Sequence, residues 1–269
     1  YCKFTHADTK VSPGEYKLRS TFDYHAIVAN MRAGSTSAAT VKVTIPEGFT
    51  MHQIFLRLEE NGVADYNDLM DAAANEVFNY SFLEGTESLG AYRLEGYLFP
   101  DTYEFYVGMQ ASSAINKMLD NFNRKITEDM QARLDELGMS LSEVINVASL
   151  IEKEAANDSE RPVIASVIYN RLNYDTPLGI DAAVLYPYPE HEGAPTAEML
   201  AKDDPYNTRI KLGLPPTPIS NPGIASINAA LWPDATDYFY YALDTATGTH
   251  QFFTNEGDFN SFVATQDYE

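Results

Sequence analysis

Residues 141–155 read Leu141-Ser142-Glu143-Val144-Ile145-Asn146-Val147-Ala148-Ser149-Leu150-Ile151-Glu152-Lys153-Glu154-Ala155. Advanced by about 100° per residue, Leu141, Val144, Ile145, Ala148, Ile151 and Ala155 fall on one stripe, the pattern of a helix that buries one face in a core. Glu152 lies inside that stripe, Glu154 at its flank beside Val147, and Glu143 and Lys153 on the polar side. Apolar surroundings disfavour an ionised carboxyl group, and an acid that keeps its proton is what protonating a glycosidic oxygen requires. Ion pairs also place acids on apolar faces, so the same pattern equally fits a buried glutamate paired with Arg161, Arg93 or Arg171.

Outward from this helix, the spacing predicts helices at about 111–126, 127–137 and 141–156, and a fourth over 159–173. Upstream, Arg93-Leu94-Glu95-Gly96-Tyr97-Leu98-Phe99-Pro100-Asp101-Thr102-Tyr103-Glu104-Phe105 is too rich in aromatic residues for a flexible linker and predicts an ordered, buried connection. Downstream, residues 175–223 carry Pro177, Pro187, Pro189, Pro195, Pro205, Pro215, Pro216, Pro218 and Pro222, which no single regular element tolerates. Tyr238–Leu243 and Thr249–Thr254, around a Gly248 turn, predict a hairpin. The first ~75 residues read as a polar tether over 1–12, a strand at Glu15–Leu18, a helix from Phe22 to Met31, a strand at Val41–Ile45, a helix begun by Thr50, and a helix over 65–75. The strand-then-helix unit occurs twice, as a weak repeat.

Composition narrows the chemistry. The 269 residues, 45% of them hydrophobic, are ample for a core. Eighteen Lys and Arg against 39 Asp and Glu leave a net charge of −21. Such a surface repels phosphate backbones and anionic lipid, so nucleic acid is not expected as a partner. With Cys2 as the one cysteine, no internal disulfide, thiolate cluster or CxxC motif can form. The histidines His6, His25, His52, His191 and His250 show no HExxH, so neither a metal site nor a cofactor is expected. A P-loop, a dinucleotide fingerprint and a G-x-S-x-G nucleophile are all missing from the sequence.

Further candidates carry two readings each. Asp181 could supply a second carboxylate or cap a helix. Asn170 and Arg171 close a helix and could line a site or bond its carbonyl end. Glu95 could anchor the turn of the aromatic run, as could Asp101. Tyr186, Tyr188 and Tyr206 could stack on sugar rings or pack.

Taken in order, Leu94–Tyr103, Ala148-Ser149-Leu150-Ile151-Glu152-Lys153-Glu154, Val167-Ile168-Tyr169-Asn170-Arg171-Leu172, Tyr206-Asn207-Thr208, Gly213-Leu214-Pro215-Pro216 and Asn221-Pro222-Gly223 resemble the YceG-like family of endolytic murein transglycosylases. The resemblance spans roughly 13–260. It implies an α+β protein: a small LysM-like βα module over 13–78, then a mixed helical catalytic domain over 79–269 with long Pro-rich loops and a C-terminal β-hairpin. It also implies a lyase that cuts the β-1,4 bond after N-acetylmuramic acid in nascent strands and leaves 1,6-anhydro ends without using water. The family's catalytic glutamate corresponds to Glu152, the acid the stripe selects, with Glu154, Asn170, Asp181, Tyr206, Asn207 and Glu95 as supporting or substrate-binding residues. Peptidoglycan glycan strands and the cell-wall synthesis machinery are the implied partners. The implied setting is extracytoplasmic, with a single-pass membrane anchor outside this chain, which opens at Tyr1. Two positions depart from the family pattern: Asp181 stands in Ile180-Asp181-Ala182-Ala183 where relatives show Thr-Asp-Pro-Thr, and Arg209 follows Tyr206-Asn207-Thr208 where many have Tyr. A non-catalytic wall-binding protein, and a hydrolase pairing Glu152 with Asp181, are the competing readings.

Overall fold

A computed structural model describes residues 22–32 and 40–268. The tether, the strand expected at Glu15–Leu18 and the first copy of the weak repeat up to its helix lie outside the described residues. The fold is α+β, with two small antiparallel sheets among the described residues. By its contacts the chain divides into two compact units. Among described residues, the first runs to Pro46 and from Met51 to Asn123; the second holds Glu47–Thr50 and everything from Arg124 onward.

In the first unit, α1 (Tyr24–Arg32) precedes β1 (Thr40–Thr44), α2 (Met51–Glu60), α3 (Tyr66–Asn75), β2 (Thr102–Tyr106) and all but the last two residues of α4 (Ala111–Lys125). The face of α2 that the pattern marks, Ile54, Phe55 and Leu58, is buried, together with Met51. The aromatic run is ordered as expected, with Leu94, Tyr97, Leu98 and Phe99 buried. Its second half is not a connection, however, but β2, antiparallel to β1 from Thr40↔Tyr106 to Thr44↔Thr102. The partner strand lies some sixty residues upstream, a pairing that no local periodicity announces. Arg93 Nε donates to Ala73 O at 2.8 Å, at the carbonyl end of α3. Glu95, 1% exposed, accepts the N–H of Met51 at 3.0 and 3.1 Å, so a buried carboxylate closes the open amide end of α2.

In the second unit, α5 (Glu128–Leu137) starts at Thr127, whose side chain accepts from Met130 N, and stops at left-handed Gly138. The helix α6 (Leu141–Glu154) opens with a capping box between Ser140 and Glu143. Its burial is wider than the stripe, since every residue from Val144 to Ile151 is buried. Neighbouring helices α5, α7 (Arg161–Asn173) and α10 (Ile224–Leu231) all pack on it. The two polar residues so enclosed tie the Pro-rich segment to the helix. Asn146 Nδ2 donates to Pro215 O at 2.7 Å, and Ser149 Oγ accepts the N–H of Ile219 at 3.0 Å. Within that segment lie only short helices, α8 (Asp181–Leu185) and α9 (Ala197–Ala201). The hairpin forms as β3 (Tyr240–Asp244) and β4 (Thr249–Phe253), followed by α11 (Glu256–Val263). Neither α10 nor α11 is announced by the sequence pattern; α10, Ile-Ala-Ser-Ile-Asn-Ala-Ala-Leu, is almost wholly apolar and so has no polar face to set a period.

Candidate active site

Glu152 stands near the end of α6, and its side chain is 7% exposed. Three donors converge on it. Oε2 accepts the N–H of Gly223 at 3.0 Å and the hydroxyl of Ser226 at 2.7 Å, and Arg161 Nη1 lies 3.4 Å from Oε1. Gly223 is the N-cap of α10 and Ser226 sits in its first turn, so the carboxyl group faces the positive end of that helix. Arg161 Nη1 also donates to Ser226 Oγ at 2.6 Å, while its Nε pairs with Asp158 at 3.1 Å. Of the arginine partners weighed from sequence, Arg161 is therefore the one found beside Glu152. The ion pair weighed from sequence is thus present, and the same carboxyl group also accepts from a backbone amide and a hydroxyl.

Glu154, two residues on, turns away toward the C-terminal hairpin, where Tyr241 Oη donates to its Oε2 at 2.7 Å. Burial raises the Glu154 carboxyl above its ordinary value, and the Tyr241 hydrogen bond opposes that rise. Burial, with Glu154 next to it, likewise pushes the Tyr241 hydroxyl well up, so this donor stays a donor across the working range. Replacing Tyr241 by Phe deprives Glu154 of that bond and is expected to lower stability by about 1–3 kcal/mol in urea denaturation. Beyond Tyr241, His250 lies edge-on at 5.3 Å and bonds Glu160: Nδ1 sits 2.8 Å from Oε2, and the His250 N–H donates to Oε1 at 3.0 Å. Burial of Glu160 raises its carboxyl, but hydrogen bonds from the His250 side chain, the His250 backbone and the Ala156 backbone outweigh it and leave the group lowered. A carboxyl lowered in the fold gives stability that is present above its unfolded value and lost as pH falls through the folded one. Stability is therefore expected to hold down to about pH 5 and then drop on acidification, with a shallower drop in Glu160→Gln.

The other candidates take these places. Asp181 is the first residue of α8 and is tied to Arg209, with Nη2 at 2.6 Å and Nε at 2.7 Å from Oδ1. Asp181, retained in its altered setting, thus pairs with Arg209, the residue that departs from the family pattern after Tyr206-Asn207-Thr208. Asn170 Nδ2 donates to Thr236 O at 2.8 Å and Tyr238 O at 2.9 Å, and Arg171 donates to the carbonyls of Phe239, Pro177 and Leu178. Both hold the chain leading into β3. Asn207, 1% exposed, donates to the carbonyls of Met199, Leu200 and Lys202 and so closes α9. Tyr206 bonds Thr217 Oγ1 at 2.7 Å and leans on Tyr186 at 4.9 Å between ring centres. Glu95 belongs to the first unit, as the cap of α2. Ser226, the Gly223 amide and Glu47, which rests on Gly223, complete the surroundings of Glu152 without any sequence signal beyond the Asn-Pro-Gly and Pro-Glu-Gly turns that carry two of them. Among the described residues, no group of His, Cys, Asp and Glu is arranged to hold a metal ion, and no helix is long and apolar enough to cross a membrane.

The same arrangement of sequence recurs in known proteins. The chain is 32% identical over 245 residues to the endolytic murein transglycosylase of Bacillus subtilis, covering 85% of this chain and 66% of that one. It is 29% identical over 280 residues to the endolytic murein transglycosylase of Streptococcus pneumoniae, covering 95% of this chain and 51% of that one. It thus spans between about half and two thirds of the length of these curated relatives. The crystal structure of a yceG-like protein from Listeria monocytogenes matches with a TM-score of 0.72 at 33% identity, over 97% of this chain and 88% of that one. With the family pattern matched over residues 1–265, the chain belongs to the YceG-like family.

Proposed function

We propose that this protein is an endolytic peptidoglycan lytic transglycosylase in which Glu152 handles the proton. The observation that carries the reading is the placement of Glu152: one carboxyl group on a rigid central helix, fixed by the Gly223 amide, Ser226 and Arg161. The names of the relatives support the substrate class. In the proposed cycle the protonated Glu152 gives its proton to the leaving 4-oxygen as the bond from the anomeric carbon to that oxygen breaks. The substrate's N-acetyl group or nearby dipoles stabilise the positive centre. Glu152, now a carboxylate, takes the proton of the 6-hydroxyl as that oxygen closes on the anomeric carbon. One residue serves as acid and then base, and no second carboxylate has to activate water, unlike in ordinary glycosidases. A hydrolase using Asp181 finds that residue engaged by Arg209. The reading extends to a LysM-like glycan-binding role for the first part of the chain, an extracytoplasmic setting with an anchor outside this chain, and work beside the cell-wall synthesis machinery. Mass analysis of un-crosslinked glycan strands after incubation tests it: anhydro-muramyl ends support the lyase, reducing ends support hydrolysis, and intact strands leave wall binding.

A further inference from the structure

In sequence, Pro46-Glu47-Gly48 signals only a reversal of the chain. In the fold it becomes part of the site. Glu47–Thr50 belong with the second unit, where Gly48 N–H donates to Asn221 O at 2.9 Å and Asn221 N–H to Phe49 O at 2.8 Å. A Cβ on Gly48 would stand 3.5 Å from Glu152 Cγ, so the backbone of this turn passes against the Glu152 side chain. The Glu47 carboxyl rests on Gly223, in the space where a Cβ would be. Gly223 has an ordinary φ of −75°, so only the Glu47 carboxyl, and not the backbone, occupies the place of a side chain there. One glycine therefore meets two carboxyl groups, Glu152 at its N–H and Glu47 at its Cα. The charged and polar groups around them are Glu152 and Lys153 from α6, Asp158 and Arg161 at the start of α7, and Ser226 from α10. Glu152 has three donors. Glu47 is exposed as a residue, though its carboxyl group is partly covered, and it has neither a hydrogen bond nor an ion pair to another described residue.

We infer that Glu47 and Glu152 act as a pair holding one proton between them, with Glu47 the positioning residue that keeps the proton available to Glu152. The inference rests on the reading of Glu152 as the proton donor and deepens it. The Gly223 amide, the Ser226 hydroxyl and Arg161 hold the Glu152 carboxyl in place. A second carboxyl meets the same glycine, and two like charges side by side do not both ionise readily. In agreement, partial burial and then the nearby Glu152 push the Glu47 carboxyl up, with Arg161 acting the other way and Asp158 adding to the rise. The proton count closes over a turnover. The pair loses its proton to the 4-oxygen and regains one from the 6-hydroxyl, and no water or co-reactant enters.

The test is the pH dependence of kcat on un-crosslinked strands for wild type and Glu47→Gln. In the variant, the loss of activity on the alkaline side is expected at least one pH unit lower. At neutral pH this amounts to about a tenfold deficit that acidification recovers, with KM little changed. Glu47→Asp should lie between the two. An equal deficit at every pH, or an unchanged profile, would overturn the pair. Side-chain carboxyl ¹³C titrations read the same coupling without turnover. Two coupled steps in wild type and a single shifted step in Glu47→Gln and in Glu152→Gln support it; independent, unshifted steps refute it. Product analysis separates this from the reaction class: reducing ends with the pH shift would remove the lyase and leave the pair, and anhydro ends without the shift would do the reverse.

Discussion

Glu152→Gln is expected to abolish glycan cleavage, by about 1,000-fold or more, while the protein stays folded. The amide has nearly the shape of the carboxyl group, and its oxygen can still accept from the Gly223 amide and Ser226. It cannot donate an acidic proton to the 4-oxygen, nor take one from the 6-hydroxyl. Both halves of the cycle fail together, so an activated leaving group should not rescue it. Steady-state rates on un-crosslinked strands, with circular dichroism as the folding control, decide the matter. Substantial activity in this variant would move the proton role to another acid, Glu154 being the next on the helix.

Arg161→Met is the second large effect, and it falls on stability. The Arg161 side chain is 11% exposed and that of Glu152 7%, so removing the cation leaves a shielded carboxyl group without its charge partner and Ser226 without a donor. Breaking one side of a buried pair costs about 3 kcal/mol. Adding Glu152→Gln to Arg161→Met removes the orphaned charge and should restore more than half of the loss, a coupling that a double-mutant cycle in urea measures. Simple additivity of the two substitutions would mean that the 3.4 Å pair contributes nothing.

The site and the fold differ in how far they could be read from sequence. The stripe from Leu141 to Ala155 placed Glu152 correctly on an inward face, because helical period is a local signal. The helices from α4 to α7 fall within a few residues of their expected bounds for the same reason. What surrounds Glu152 was not legible. Gly223, Ser226 and Glu47 reach it from loops and a helix start that lie seventy or more residues away, and long-range contacts leave no period in the chain. The strand β2 was hidden likewise, since its pairing with β1 is non-local. Asn170 and Asn207 looked like site residues because they are polar and sit in distinctive runs. In the fold each spends its amide on backbone carbonyls, Asn170 on the approach to β3 and Asn207 at the end of α9. The −21 charge, which at first only excluded nucleic acid, now sets a condition on the substrate. Peptidoglycan, the proposed substrate, itself carries carboxylates, so the proposed reading calls for binding through hydrogen bonds and stacking rather than charge.

The most direct test of the central claim is digestion of glycan strands in water enriched in heavy oxygen. A lytic transglycosylase closes the anomeric carbon with the sugar's own 6-oxygen, so the account predicts anhydro-muramyl products that carry no label. Reducing ends bearing one heavy oxygen per cut would contradict it.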